Sequence, residues 1–213
     1  MHYRTMIFLC LLMIFSIDQI DTAHFNGGTI TWFPVYPDSN SSSVLITVTQ
    51  SYSWVYTSVP CANNIGTVTD TLSCVANCST NANNTAKAIS IQTDCTSYSV
   101  SLNTTFSARS VNVSVPVNTY FWIAYVGSAW RTLENSVSTG SGWSGGAGWS
   151  IVSLIDLRRR PDGLINTPPT SQVTSPQNVL VNKTTAILIP VSDVNTNDDL
   201  RCRLSQNKRY SIR

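Results

Sequence analysis

Few side chains in this chain of 213 residues could do chemistry, and their types narrow what that chemistry could be. Of the two histidines, only His24 lies beyond the apolar N-terminus. One imidazole cannot build a Ser-His-Asp or Cys-His arrangement, which needs a base beside the nucleophile and a third group to orient that base. Cleavage of an export signal after Ala23 would make His24 the terminal residue, where amine and imidazole can chelate copper. A copper brace needs a second imidazole, and none follows. Two carboxylates about 5 to 10 Å apart can hydrolyse glycosides. Asp38, Asp70, Asp94, Glu134 and Asp156 are available through residue 157, but none sits in a recognisable motif. In a chain so poor in acids they read as turn residues or arginine partners. The glycine-rich stretch 139–150 (TGSGWSGGAGWS) lacks the lysine and the strand-to-helix setting of a phosphate loop. The chemistry expected is binding, without catalysis.

Two kinds of binding residue stand out. Residues 193–199 (DVNTNDD) are rich in hard oxygens, which calcium takes six to eight at a time. Asp193, Asn195, Asn197 and Asp199 are the candidate ligands, with Asp198 beside them. The spacing is not that of an EF-hand, since Asp198 stands where its glycine belongs and Leu204 where its glutamate belongs. The competing reading is an exposed turn. No other cofactor is called for. Six tryptophans invite a carbohydrate reading, because sugar rings stack on aromatic faces. Trp32, Trp54 and Trp122 fall in strand patterns and read as core. Trp130 and Trp143 flank or occupy loops and are the ligand candidates, with the glycines around Trp143 leaving it free to move.

The elements that must position these residues belong to an exported chain. Residues 1–23 read as a signal peptide, with Arg4 as the positive start and an apolar run at 6–17 (MIFLCLLMIFSI). That run is shorter than the roughly 20 residues that span a bilayer. No later segment is long and apolar enough to cross, so a secreted, extracellular product is expected. Acceptor sequons at Asn40, Asn83, Asn103, Asn112 and Asn182 fit export. Asn77, with Cys78 in the middle of its sequon, is a weaker acceptor. Use of these sites would place Asn40, Asn83 and Asn103 on loops or strand ends.

Cys10 leaves with the signal. Cys61, Cys74, Cys78 and Cys95 cluster, and an oxidising compartment makes disulfides their default. Pairing of Cys61 with either Cys95 or Cys74 is favoured, and spacing alone leaves the choice open. No histidine lies near the Cys74/Cys78 pair to make a zinc site. Cys202 has no local partner. It is expected to pair outside these residues, in a chain that continues past residue 213.

Composition sets the fold class. Ser, Thr and Asn make up 72 residues, while charged residues are only 11% of the chain, against roughly 25% in a usual soluble domain. Three lysines and one glutamate cannot solvate long helices. A net charge of +2 argues against nucleic acid as a partner. Short strand patterns recur at 29–35, 44–49, 52–56, 98–102, 110–115, 120–126 and 149–157. Residues 110–115 (SVNVSV) alternate and should be half-buried, whereas 120–126 (YFWIAYV) run nearly unbroken and should form a central strand. No segment holds a helical period. The expectation is an all-β, antiparallel β-sandwich, jelly-roll or immunoglobulin-like, over residues 24–157. A Pro/Arg-rich linker follows at 158–169. Residues 170–213 read as a partial immunoglobulin- or cadherin-like module, with strands at 177–181, 186–191 and 199–204. The triple arginine at 158–160 reads as solvated linker, because Pro161 would impede processing there.

The order of HFNGGTITWFPV, a Cys-bearing middle, YFWIAYVGSAWR, WSIVSLIDLRRRPDGLINTPP and DVNTNDDLRCR resembles the N-terminal region of large, uncharacterised secreted or cell-surface multidomain proteins of invertebrates. That resemblance implies a first β domain followed by further sandwich modules and carries no activity. The function expected is a structural or adhesive role for a glycosylated ectodomain, with an extracellular protein or glycan as partner. A lectin-like domain using Trp130 and Trp143 is the alternative.

Overall fold

The computed structural model describes residues 24–35, 41–131, 148–171, 177, 179–195 and 198–202. The expected signal peptide, Asn40, Trp143 and Asn197 lie outside them.

Alternation builds the first sheet. In β1 (Phe25–Pro34) and β2 (Ser43–Val55) every second side chain turns inward. Val44, Ile46, Val48, Gln50, Tyr52 and Trp54 line one face of β2, and Ser and Thr alternate with them on the other. The patterns at 44–49 and 52–56 are therefore one long strand. β3 (Ser73–Ala76), α1 (Thr80–Lys87) and β4 (Asp94–Ser99) follow, then β5 (Thr104–Pro116), β6 (Tyr120–Gly127) and β7 (Trp149–Asp156). One antiparallel sheet has the order β1-β2-β5-β4 and the other β3-β6-β7. The result is an all-β, sandwich-like fold without barrel closure.

The core lies between the sheets. Ile30, Trp32, Ile46 and Val113 of the first meet Phe121, Ile123 and Ile155 of the second. The start of β1 and the segment after β6 are joined through the backbone at one corner. There the backbone N–H groups of His24 and Phe25 donate to the Ala129 carbonyl at 2.9 and 2.8 Å, and the Arg131 N–H donates to the Phe25 carbonyl at 2.9 Å.

The excursion between β2 and β4 is tied by two disulfides, Cys61–Cys95 and Cys74–Cys78. Sequence favoured Cys95 or Cys74 for Cys61, and the fold selects Cys95. Cys202 is exposed and unpaired among the described residues. The excursion also contains α1, which no periodicity signalled. TNANNTAK is a weak helix former. Its start is set by Ser79, whose hydroxyl accepts from the Ala82 N–H at 3.2 Å as an N-cap. Ala82, Thr85 and Ala86 face the core.

Two expectations shift. The strand expected at 98–102 ends at Ser99, because the chain turns through Asn103 at φ 49°. Among the described residues, all five non-glycine positions with positive φ are asparagines, the residue type that best tolerates this region. The expected linker also begins inside the sandwich, where Leu157 and Ile165 are fully buried in the main core. Beyond it, the described residues of the second segment form only a two-residue ladder, β8 (Thr170–Ser171) with β9 (Val191–Ser192). Among the described residues the apolar run 186–190 stays exposed, Leu188 to 87%.

Candidate functional site

The two outer faces of the sandwich differ in chemistry. On the four-stranded sheet, hydroxyls and amides pair across strands: Thr47 Oγ1 donates to Asn112 Oδ1 at 2.7 Å, and Thr49 and Ser110 share a hydrogen bond of 2.8 Å. The outer face of the three-stranded sheet is apolar. Tyr120, Trp122 and Val126 alternate outward along β6, with Ala124 buried between them. Register places Trp122 between Ala76 and Leu154, and Ala124 between Ser73 and Val152. Trp122 is 38% exposed, Val152 44% and Val126 57%. Trp122 is thus not a core residue, as its strand pattern suggested. β6 is the central strand of its sheet, and its outer face is only partly covered. Phe121 and Ile123 point into the core, while nothing packs over Trp122 among the described residues.

Charge borders this face at one end. The Arg158 guanidinium lies 4.2 Å from the Tyr120 ring centroid, within cation–π range. It also grips Asp156 through Nε at 2.8 Å and Nη2 at 2.6 Å. These hydrogen bonds hold the Asp156 carboxyl below its ordinary range. The exposed center is apolar and its margin polar, with Ser73, Ser150 and the Asp156–Arg158 pair around it.

Trp130, the described ligand candidate, lies elsewhere. It packs edge-on against Phe25 at 5.8 Å in a second cluster with Tyr52, Trp54, Tyr125 and Trp149. Trp149 stacks on Phe25 at 3.9 Å. Burial raises the ionisation of Tyr52 above the ordinary tyrosine range, with the Tyr125 phenol adding to it. Burial pushes Tyr125 up to about 12, with the Asp70 charge contributing. Trp32 and Trp54 are buried, as expected. His24 stacks on Trp54 at 5.7 Å.

The oxygens of the 193–199 segment serve the protein. Asp193 Oδ1 accepts from the Asn195 N–H, and Asn195 Oδ1 from the Thr167 N–H, both at 2.8 Å. Arg160 pairs with Asp198 at 2.9 Å and Arg201 with Asp199 at 2.5 Å. Among the described residues no three His, Cys, Asp or Glu side chains converge to hold a metal. Two of the first-domain carboxylates follow the same pattern, Asp94 gripped by Arg109 at 2.9 Å and Asp156 by Arg158. Asp38 and Glu134 lie outside the described residues.

Of the sequon asparagines, Asn182 occupies an exposed turn and Asn112 the exposed face of β5. Asn103 sits in the turn before β5, its Oδ1 accepting from the Thr57 N–H at 2.9 Å. Asn83 lies within α1 rather than on a loop, and its Nδ2 donates to the Ser79 carbonyl at 3.1 Å.

Sequence reasoning missed Tyr120 and Trp122 as surface residues. The readable signal was the other face of the sandwich: alternation in β2 and β5 leaves room for one inner layer and supplies no third layer to cover β6. No protein-family model, curated protein or solved structure matches the chain.

Proposed function

We propose that this protein is a secreted or cell-surface glycoprotein and works by adhesion, without catalysis. The observation that carries this reading is the exposed Trp122 face on a disulfide-tied sandwich. Strand spacing and rise give that face dimensions of roughly 14 by 27 Å. This is less than the ~800 Å² each partner contributes to a standard stable complex. It suits a weak contact with the apolar surface of an extracellular protein, and weak contacts hold surfaces together when many act at once. Two disulfides, sequons at Asn83, Asn103, Asn112 and Asn182, and the apolar leader of the sequence support export. The resemblance to invertebrate secreted and cell-surface proteins belongs to the same reading.

The test is expression in eukaryotic cells, followed by intact mass with deglycosylation and thiol labelling, then bead adhesion. A product beginning at His24, carrying glycans and labelling only Cys202, is expected. Beads coated with it should adhere to one another or to cultured cell monolayers, and Trp122→Ser should release them. Unprocessed product with free thiols, or Trp122→Ser beads that adhere like wild type, would overturn the reading.

A further inference from the structure

The opposite face of the sandwich carries a separate feature. An open depression of about 400 Å³ lies over the start of β1, where that strand has a bulge between Phe25 and Gly27. Two cross-strand rows form its floor. One runs Gly27–Ser53–Phe106 and the other Thr29–Ser51–Ala108. The dip exists because small residues occupy the middle of both rows. Glycine within a strand, beside a bulge, marks a close approach to the backbone, and at Gly27 the group in that space is the Trp130 ring, 3.8 Å from where a Cβ would stand. Gly27 has φ 138°, which a residue with a Cβ rarely adopts.

The polar groups here differ from their neighbors. One row further along the sheet, Thr49 and Ser110 satisfy each other, and beyond them Thr47 and Asn112 do. In the depression, the side chains of Asn26, Thr29, Ser51 and Ser53 make no hydrogen bond with any described residue. They stand beside a half-buried phenyl ring, Phe106, and the Ala108 methyl. No charged side chain lines the site.

We infer that this depression is a binding site for neutral saccharides. A sugar ring offers an apolar C–H face and a rim of hydroxyls that both donate and accept. Phe106 and Ala108 match the first, and the unpaired hydroxyls of Ser51, Ser53 and Thr29 with the Asn26 amide match the second. The volume suits roughly one or two sugar rings. The lack of charge disfavours sialylated, sulfated or phosphorylated ligands, whose desolvated anions would lie unpaired. The inference shares the exported setting of the proposed function but is independent of the Trp122 face, which lies on the other sheet.

The test is an array of neutral and acidic oligosaccharides, followed by titration calorimetry with the neutral sugars retained. One arm uses free oligosaccharides and the other the same sugars attached to a carrier protein, which separates a polysaccharide ligand from a glycoprotein glycan. Binding of neutral sugars is expected, with Ser53→Ala weakening it about tenfold, the value of one uncharged hydrogen bond. Ala108→Leu, which fills the dip, should abolish it. Thr49→Val and Trp122→Ser should bind as wild type. Circular dichroism confirms that each variant is folded. The assignment is overturned if the folded wild type retains no neutral sugar, if acidic sugars are preferred, or if Ser53→Ala and Ala108→Leu both bind unchanged.

Discussion

The indole N–H of Trp32, in β1, donates to the carbonyl of Leu154, in β7, at 2.7 Å across the gap between the two sheets. β7 is an edge strand, so this carbonyl has no ladder partner on that side. Trp32 is only 2% exposed, and its ring fills the core while its N–H satisfies the edge. Trp32→Phe should keep most of the filling and lose the hydrogen bond, at about 1 kcal/mol. Trp32→Ala should cost roughly 3–5 kcal/mol, because it also leaves a cavity. Urea unfolding of both variants checks the split. No loss in Trp32→Phe would mean that the hydrogen bond contributes nothing.

The two disulfides should differ in their contribution to stability. Cys61–Cys95 joins residues 34 apart in sequence, and Cys74–Cys78 residues only 4 apart. Chain-entropy scaling gives about 3.8 kcal/mol for the longer ring and about 2 for the shorter. The longer ring also fastens β4 to the start of the excursion that holds α1. Replacing Cys61 and Cys95 by serine should therefore lower the urea midpoint more than replacing Cys74 and Cys78. The reverse order would place the stabilisation in the local Cys74–Cys78 turn.

Much of the sandwich was legible in the sequence, because alternation is a local signal. Val44, Ile46 and Val48 declare an inner face without reference to any other strand. Trp122 shows where this stops. An unbroken apolar run is compatible with cover on two faces or one, and only the number of layers decides between them. α1 was hidden for another reason. Its residues have little helical preference, and the Ser79 cap with the adjacent Cys74–Cys78 bridge sets its start. The 193–199 segment is ambiguous in the same way, because Asp and Asn oxygens serve calcium, arginine or backbone N–H groups equally well. Which they serve depends on Arg160, more than thirty residues earlier.

Acid should weaken the tie between the excursion and β5. Arg109 donates to both oxygens of Asp94, and the Asn64 N–H donates to one of them at 3.0 Å. These bonds hold the Asp94 carboxyl below its ordinary range, the Arg109 hydrogen bond contributing most. A carboxyl depressed in the folded state stabilises above its unfolded value, near pH 4. That contribution is lost as pH falls through the folded value. The group is exposed, so the effect should be small and should fade with salt. Melting temperatures between pH 5 and pH 2 should fall less steeply for Asp94→Asn than for wild type. Identical acid limbs would remove Asp94 from the account.

Alkali should act through the aromatic end of the sandwich. Gln50 is fully buried; its Nε2 donates to the Ser90 carbonyl at 2.9 Å and its Oε1 accepts from the Tyr52 hydroxyl at 2.8 Å. Burial raises both Tyr52 and Tyr125, the latter to about 12. An unfolded tyrosine ionises near pH 10. A group raised in the folded state contributes its full stability below that value and loses it as pH rises through the folded one. Stability should therefore hold to about pH 10 and fall between there and pH 12, with the share of tyrosinate absorbance that Tyr52→Phe removes rising together with unfolding. Gln50→Leu should cost roughly 1–3 kcal/mol at neutral pH, since it strands the Tyr52 hydroxyl in the core. If Tyr52→Phe already lowers the tyrosinate absorbance near pH 10 in protein that is still folded by circular dichroism, this phenol is solvated and the cluster is looser than its packing against Phe25 implies.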